Sequence, residues 1–80
     1  MIGDVEYRLY LRREERVRHR DYPEWGTGRV VETRESSVAG GACFVLVLFE
    51  DGQKRMFFND LKDTRCCYYT GIVRCLVSLL

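Results

Sequence analysis

Residues 43–58 read CFVLVLFEDGQKRMFF and carry the strongest fold signal in the chain. Two apolar runs flank Asp51-Gly52, a dipeptide that favours a two-residue type I′ turn, so the stretch predicts a β-hairpin. Counting outward from that turn pairs Phe49 with Lys54. Both faces of the first strand are then apolar. One face holds Val45, Val47, Phe49, Met56 and Phe58, and the other holds Phe44, Leu46, Leu48 and Phe57 together with Arg55.

Upstream of the hairpin, residues 16–20 read RVRHR and alternate strictly, which predicts a strand. That strand has Arg16, Arg18 and Arg20 on one face and Val17 and His19 on the other. Residues 21–28 combine proline and glycine and predict a loop. Within it, Trp25 is expected to fold over one end of the core. Residues 29–34 predict the next strand.

The two ends of the chain are less regular. Residues 1–15 fit a strand leading into the sheet, which we favour, although one helical face also fits. Residues 59–61 predict a short turn of helix. In residues 66–80 the apolar side chains Ile72, Cys75, Leu76 and Leu79 fit a helical face, and a strand over 71–77 is the alternative.

Composition points to a single small domain. The chain has 80 residues, 46% of them hydrophobic and 31% charged, which is typical of a globular protein. A domain of this size is poorly suited to a deep catalytic cleft between two lobes. The net charge of +1 argues against a strongly basic nucleic-acid coat. These numbers favour a small binding module.

The four cysteines predict neither disulfides nor a metal centre. No secretory signal opens the chain and no apolar run is long enough to span a membrane, so we expect a cytoplasmic protein with reduced thiols. Cys66 and Cys67 are adjacent and point in different directions, and His19 is the only histidine. Zinc sites need three or four such ligands at suitable spacing. We therefore expect no metal and no cofactor.

Catalytic patterns are equally weak, so the sequence predicts a protein that is not an enzyme. A cysteine nucleophile needs a base, and nothing in the spacing brings His19 near Cys66 or Cys75. Gly26-Thr27-Gly28 lacks the residues that complete a phosphate-binding loop.

The alternative to a solvated outer strand face is a nucleic-acid platform. It would combine Arg16, Arg18, Arg20 and Arg29 with the aromatic residues Tyr22, Trp25, Tyr68 and Tyr69.

Two sequence blocks resemble known domains. Residues 17–30, VRHRDYPEWGTGRV, resemble the pattern V-R-H-P-x-x-P-E-W-G-x-G-x-V of a group of short, uncharacterised bacterial domains. They are also similar to the opening V-x-H-P-x-F/W-G-x-G-x-V of the Tudor-like domain at the C-terminus of UvrD/PcrA-type helicases. Residues 48–55, LFEDGQKR, are similar to the V-x-F-x-x-G-x-K-R segment that follows there. Arg20 replaces the proline after the histidine, and the tail beyond Asn59 has no counterpart.

The resemblance implies an all-β fold, a small SH3-like, Tudor-type barrel of about five antiparallel strands. The tail, as interpreted above, adds a short C-terminal helix or an extra strand. We expect one domain over 1–80, with its core in 16–58 and an apolar extension over 66–80. Related barrels dock on RNA polymerase, and others touch nucleic acid. The function that follows is a protein-interaction adaptor of the transcription or DNA-repair machinery, and nucleic-acid binding is the alternative.

The candidate binding residues are Arg16, Arg18, Arg20, Tyr22, Trp25, Arg29, Leu46, Leu48, Arg55 and Phe57. An exposed apolar hairpin face is unusual in a monomer, so we expect the apolar segment 72–80 to cover it. This covering can occur within one chain or across a homodimer.

Overall fold

A computed structural model describes residues 9–35 and 42–75. Its five antiparallel strands form one curled sheet in the order β4-β3-β2-β1-β5. The strands are β1 (Arg16–His19), β2 (Gly28–Glu35), β3 (Cys43–Phe49), β4 (Lys54–Phe58) and β5 (Ile72–Arg74). A 3-10 turn (Pro23–Trp25) precedes β2, and a short helix, α1 (Cys67–Thr70), precedes β5. The expected small all-β, barrel-like fold of five antiparallel strands is confirmed.

The alternation in β1 follows the sequence. Val17 and His19 are buried, whereas Arg16 and Arg18 are exposed, as predicted. The start of β2 packs closely against inner side chains of β3 because Gly28 has no side chain: a Cβ atom there would lie 2.5 Å from Cγ1 of Val47. A register shift between Val30 and Glu32 marks a bulge, which bends β2 so that the sheet can curl.

The hairpin β3–β4 exists as predicted, but its register is shifted by one residue. Leu48 pairs with Lys54, and the Phe49 N–H donates to the Gln53 carbonyl at 3.0 Å, so the loop has three residues rather than two. Gly52 alone takes positive φ, at 88°, whereas a type I′ turn also requires it of Asp51. The Asp51 carboxylate accepts the Gln53 N–H at 3.0 Å and holds the three-residue form.

The corrected register exchanges the side chains of β4 between the two faces. Val45 pairs with Phe57 and Val47 with Arg55, so Phe57 and Arg55 lie on the inner side of the sheet with the buried residues of β3. Met56 and Phe58, which were predicted to lie inside, are on the opposite side. The prediction that Phe57 faces outward is therefore wrong.

The core lies on the inner side of the curl and extends beyond residues 16–58. Its buried members from outside that range include Leu11 from the N-terminal segment, Cys66 and Cys67 at the start of α1, and Ile72 in β5. The main buried residues within the range are Val17, Val30, Val45, Val47 and Phe49.

Residues 59–61 do not form the predicted turn of helix, because Asn59 is held by another part of the chain. Its side chain is fully buried; Oδ1 accepts the Leu11 N–H at 2.8 Å, and Nδ2 donates to the Leu11 carbonyl at 2.9 Å. The next residue, Asp60, forms an isolated bridge with Leu9. The amide of Asn59 thus satisfies a buried backbone pair in the way a neighbouring strand would, and this holds the chain extended.

The segment after β4 contains both predicted alternatives, first a short helix and then a strand. The helix α1 ends at Thr70, and the next residue is Gly71, whose φ of 128° and close approach to His19 suit only glycine; a Cβ atom would lie 2.6 Å from Cε1 of His19. The chain then forms β5, which pairs with β1, so Ile72 belongs to a strand and not to a helical face. Among the described residues, no helix is long and apolar enough to cross a membrane. Residues 76–80, to which the predicted covering role of the tail extends, and residues 1–8 lie outside the described part.

Candidate functional site

The side of the sheet opposite the core, here called the outer face, brings together residues from four neighbouring strands. Directly paired residues in antiparallel strands project to the same side, so the pairings define rows across this face. One row runs through Arg16, Arg29, Leu48 and Lys54. The next contains Glu32, Leu46 and Met56, and the third contains Arg34, Phe44 and Phe58.

An apolar strip runs along the outer face. It consists of Phe44, Leu46 and Leu48 from β3 with Met56 and Phe58 from β4. Four of its side chains are half-buried, and Met56 is 50% exposed. The Phe44 and Phe58 rings lie 4.9 Å apart, and the Arg65 guanidinium sits 4.1 Å from the Phe58 ring centroid. The strip is therefore a continuous apolar surface that is partly exposed to solvent.

A basic patch borders one end of this strip. Arg16 and Arg29 face each other across β1 and β2, and Arg18 projects to the same side one pair further along β1. Arg29 donates to a Glu14 carboxylate oxygen at 3.0 Å, an exposed ion pair that contributes little to stability. Arg16 and Arg18 form no ion pair with any residue in the described part of the chain. An open groove of about 240 Å³ lies between Arg16, Arg29 and Leu48.

Arg20, the third arginine of the predicted stripe, lies beyond the end of β1. Its Nε is 3.9 Å from a carboxylate oxygen of Asp21, and both side chains are largely exposed. The structure thus places Arg16, Arg18 and Arg29 on the outer face and leaves Arg20 at the start of the following loop.

Another group of predicted residues lies at one end of the sheet, around Trp25. The half-buried indole stacks on Tyr22, with ring centroids 4.5 Å apart and planes 8° from parallel. His19 contacts both rings edge-on, at 4.8 Å and 5.0 Å. Phe49 meets Trp25 from the core at 5.1 Å. Trp25 therefore covers the end of the core as expected, while Tyr22 remains 45% exposed.

Arg55 belongs to this end cluster and is occupied by intramolecular contacts. Its guanidinium lies 3.8 Å from the Trp25 ring centroid and donates to both carboxylate oxygens of Asp51, at 2.9 Å and 3.2 Å. These hydrogen bonds, together with one from the Gln53 N–H, lower the pKa of Asp51. Arg55 therefore fixes the β3–β4 loop against Trp25, which leaves it little freedom to bind anything else.

Burial favours the uncharged form of three titratable side chains in the core. Burial lowers the pKa of His19, whose Nδ1 accepts the Asp21 N–H at 3.1 Å. Burial also raises the pKa of Cys66, and it raises that of Cys67 to about 12. Thiols in this state are poor nucleophiles at neutral pH. Within residues 9–35 and 42–75, no cluster of three or more His, Cys, Asp or Glu residues is arranged to hold a metal ion.

The ten predicted binding residues fall into separate places. The outer face holds Arg16, Arg18, Arg29, Leu46 and Leu48, and the end cluster holds Tyr22, Trp25, Arg55 and Phe57, while Arg20 stands apart. Sequence reasoning missed six members of the outer face as binding candidates, namely Glu32, Arg34, Phe44, Lys54, Met56 and Phe58. The correct hairpin register is the signal that would have found Met56 and Phe58. Tyr68 and Tyr69 make ring contacts with each other, and Tyr68 also with Tyr10, rather than with the arginines.

Comparisons of the chain with protein-family models, with curated proteins and with solved structures gave no match. The similarity to helicase C-terminal domains stays a prediction from the sequence.

Proposed function

We propose that this chain is a non-enzymatic adaptor that binds a larger protein of the transcription or DNA-repair machinery through its outer face. RNA polymerase is the first candidate partner. The observation that carries the proposal is the apolar strip of β3 and β4 beside the basic patch around Arg16. Protein interfaces combine an apolar centre with a polar or charged rim, and arginine is enriched in them.

The apolar strip favours a protein partner over a nucleic acid. Phosphate contacts dominate nucleic-acid affinity and need cations, not aliphatic surface. Five apolar side chains lie side by side here, and Met56 is half exposed. Contiguous apolar surface of this kind on a small domain marks an interaction site.

The partner class rests on the two sequence blocks, which meet in space. Residues 17–30 form β1, the loop and the start of β2, and residues 48–55 form the β3–β4 turn. The Glu50 N–H donates to the Thr27 carbonyl at 3.0 Å, and the Thr27 N–H donates to Glu50 Oε1 at 3.0 Å. The Asp51 N–H reaches the Trp25 carbonyl at 3.3 Å. The blocks thus support one another structurally, as parts of one motif do.

Three features support a role without catalysis. The thiols of Cys66 and Cys67 are buried, and burial raises the pKa of both. His19 is enclosed by Tyr22, Trp25 and Gly71. The groove beside Arg16 is open and is lined mainly by arginine, backbone and apolar groups.

Affinity purification from the native cell tests the proposal. Tagged wild-type protein is compared with Leu46→Ser/Leu48→Ser, which removes the centre of the strip, and with Lys62→Gln, an exposed change outside it. We expect the wild type and Lys62→Gln to recover a transcription or repair component that the double variant loses. Recovery of unrelated metabolic enzymes alone, or equal recovery by all three proteins, contradicts the proposal.

Direct nucleic-acid binding is the second candidate, and the cross-strand arrangement of Arg16 and Arg29 with Arg18 nearby favours it. Binding through these groups must weaken steeply with salt because phosphate contacts release counterions. Fluorescence anisotropy with short DNA and RNA duplexes and single strands at rising salt measures this. A flat salt dependence, or no binding at low salt, excludes it.

A further inference from the structure

We infer that the partner presents an acidic residue beside hydrophobic ones, and that its carboxylate enters the groove between Arg16 and Arg29. This inference rests on the proposed adaptor function and specifies the chemistry of the partner. Three observations support it: the facing arginines, the groove that they line together with Leu48, and the apolar strip that begins at Leu48.

A bound anion reduces the charge repulsion between the two facing arginines. Like charges directly opposite each other in an antiparallel pair are destabilising. Arg29 uses Nη1 for the Glu14 carboxylate, but Arg16 and its strand neighbour Arg18 have no acidic partner among the described residues. Guanidinium groups bind carboxylates through two parallel hydrogen bonds, so an incoming carboxylate gains both charge neutralisation and directed contacts.

The groove has the composition that an acidic side chain requires. Arg16 and Arg29 line it together with Leu48, Gly28 and the backbone around them. The one carboxylate in its lining, Glu50, already accepts the Thr27 N–H at 3.0 Å. A partner carboxylate therefore meets two cations and no unpaired acidic group in this lining.

The strip beside the groove determines what accompanies the carboxylate. From Leu48 the outer face continues through Leu46 to Phe44, with Met56 and Phe58 alongside. A segment whose carboxylate binds at the arginines therefore lays its neighbouring side chains on apolar surface. A phosphate backbone has no apolar groups that could contact this strip. The chain's net charge of +1 is also low for a nucleic-acid binder.

The test uses two labelled peptides of about twelve residues, long enough in extended form to cross the strip. One alternates leucine with aspartate, and the other alternates leucine with lysine. We expect the full-length protein to bind the acidic peptide only. Arg16→Gln/Arg29→Gln should weaken this binding about tenfold or more, because charge-assisted hydrogen bonds are lost. The matched control Arg12→Gln/Lys62→Gln removes two exposed cations elsewhere and should leave the affinity unchanged.

Thermal melts confirm that each variant is folded, and NMR shifts should locate the acidic peptide at Arg16, Arg29 and Leu48. The inference is overturned if the lysine peptide binds as well, if Arg16→Gln/Arg29→Gln binds like the wild type, or if neither peptide binds at about 1 mM. Displacement of the acidic peptide by DNA with a steep salt dependence also overturns it, in favour of nucleic acid. The carboxylate inference can fail while the adaptor function stands. If capture of a repair or transcription component needs Leu46 and Leu48 but not the arginines, only the carboxylate inference is lost.

Discussion

The two faces of β3 are almost equally apolar, yet one is buried in the core and the other is partly exposed. Val45, Val47 and Phe49 are at most 2% exposed, whereas the alternating Phe44, Leu46 and Leu48 remain half-buried. The inner side chains are covered by residues from the N-terminal segment, α1 and β5. The outer ones have as neighbours charged side chains of β2 and apolar ones of β4. Hydrophobicity identifies the strand, but the elements packed on each side decide which face becomes core.

The largest expected effect separates the faces directly. Phe49→Ala removes a ring that contacts Trp25 and Phe57 in the core and should lower the free energy of unfolding by about 3–5 kcal/mol. Phe44→Ala, on the outer face of the same strand, should cost less than about 1.5 kcal/mol. Urea denaturation measures both. Similar losses for the two variants would mean that the outer face is as well covered as the inner one.

Asn59→Ala tests the polar part of the inner side. It removes both hydrogen bonds to the Leu11 backbone and leaves a buried N–H and a buried carbonyl without those partners. We expect a loss of about 2–4 kcal/mol in the free energy of unfolding. Gln53→Ala, an exposed amide in the β3–β4 loop, is the control and should change stability by less than about 0.5 kcal/mol. Equal effects would show that the Asn59 amide is not structurally required.

His19 makes the inner side sensitive to pH. Its folded pKa is lowered below the ordinary value of 6.5, mainly by burial, so the unfolded chain binds a proton more readily than the folded one. The contribution of neutral His19 to the free energy of unfolding is therefore fully present above pH 6.5. It is lost as the pH decreases through that value towards the folded pKa. The lowered pKa values of Asp51 and Asp63 influence stability only at more acidic pH.

Denaturant titrations between about pH 8 and pH 5 measure this loss. His19→Asn retains an acceptor for the Asp21 N–H but cannot titrate, so its stability should vary less over the same interval. A variant with the same slope as the wild type would assign the pH dependence to other groups.

The smallest expected effect lies on the outer face. Arg16→Gln removes a like charge directly opposite Arg29 and should raise the free energy of unfolding by a few tenths of a kcal/mol, about 0.2–0.5. Arg18→Gln is the control, because Arg18 lies opposite Val73. Calorimetric melts at low salt compare them. A clear destabilisation by Arg16→Gln would mean that Arg16 supports the fold rather than a partner site.

Much of this architecture could be predicted from local patterns. Alternation placed Val17 and His19 inside and Arg16 and Arg18 outside, and the hairpin over residues 43–58 is present. Its register was not predictable from Asp51-Gly52 alone, because that dipeptide serves two turn types. Here the bonds from Gln53 and Arg55 to Asp51 favour the longer loop.

The remaining differences depend on contacts between distant parts of the chain. The role of Asn59 arises from Leu11, which is 48 residues away in sequence. The division of residues 66–75 into α1 and β5 depends on Gly71 fitting against His19. The arginines and leucines of the candidate site were predicted, whereas the presence of Met56 and Phe58 on the outer face depends on the three-residue loop.

The pairing of β1 with β5 has a consequence for how the chain folds. The hairpins β2–β3 and β3–β4 join neighbouring segments, while β5 reaches β1 only after almost the whole domain has been traversed. The hydrogen bond from the Tyr10 hydroxyl to the Ile72 carbonyl spans 62 residues. Closing so long a loop costs entropy before any contact compensates for it, which slows folding. The first four strands each pair with a neighbour in sequence and can therefore form early, and β5 joins β1 last.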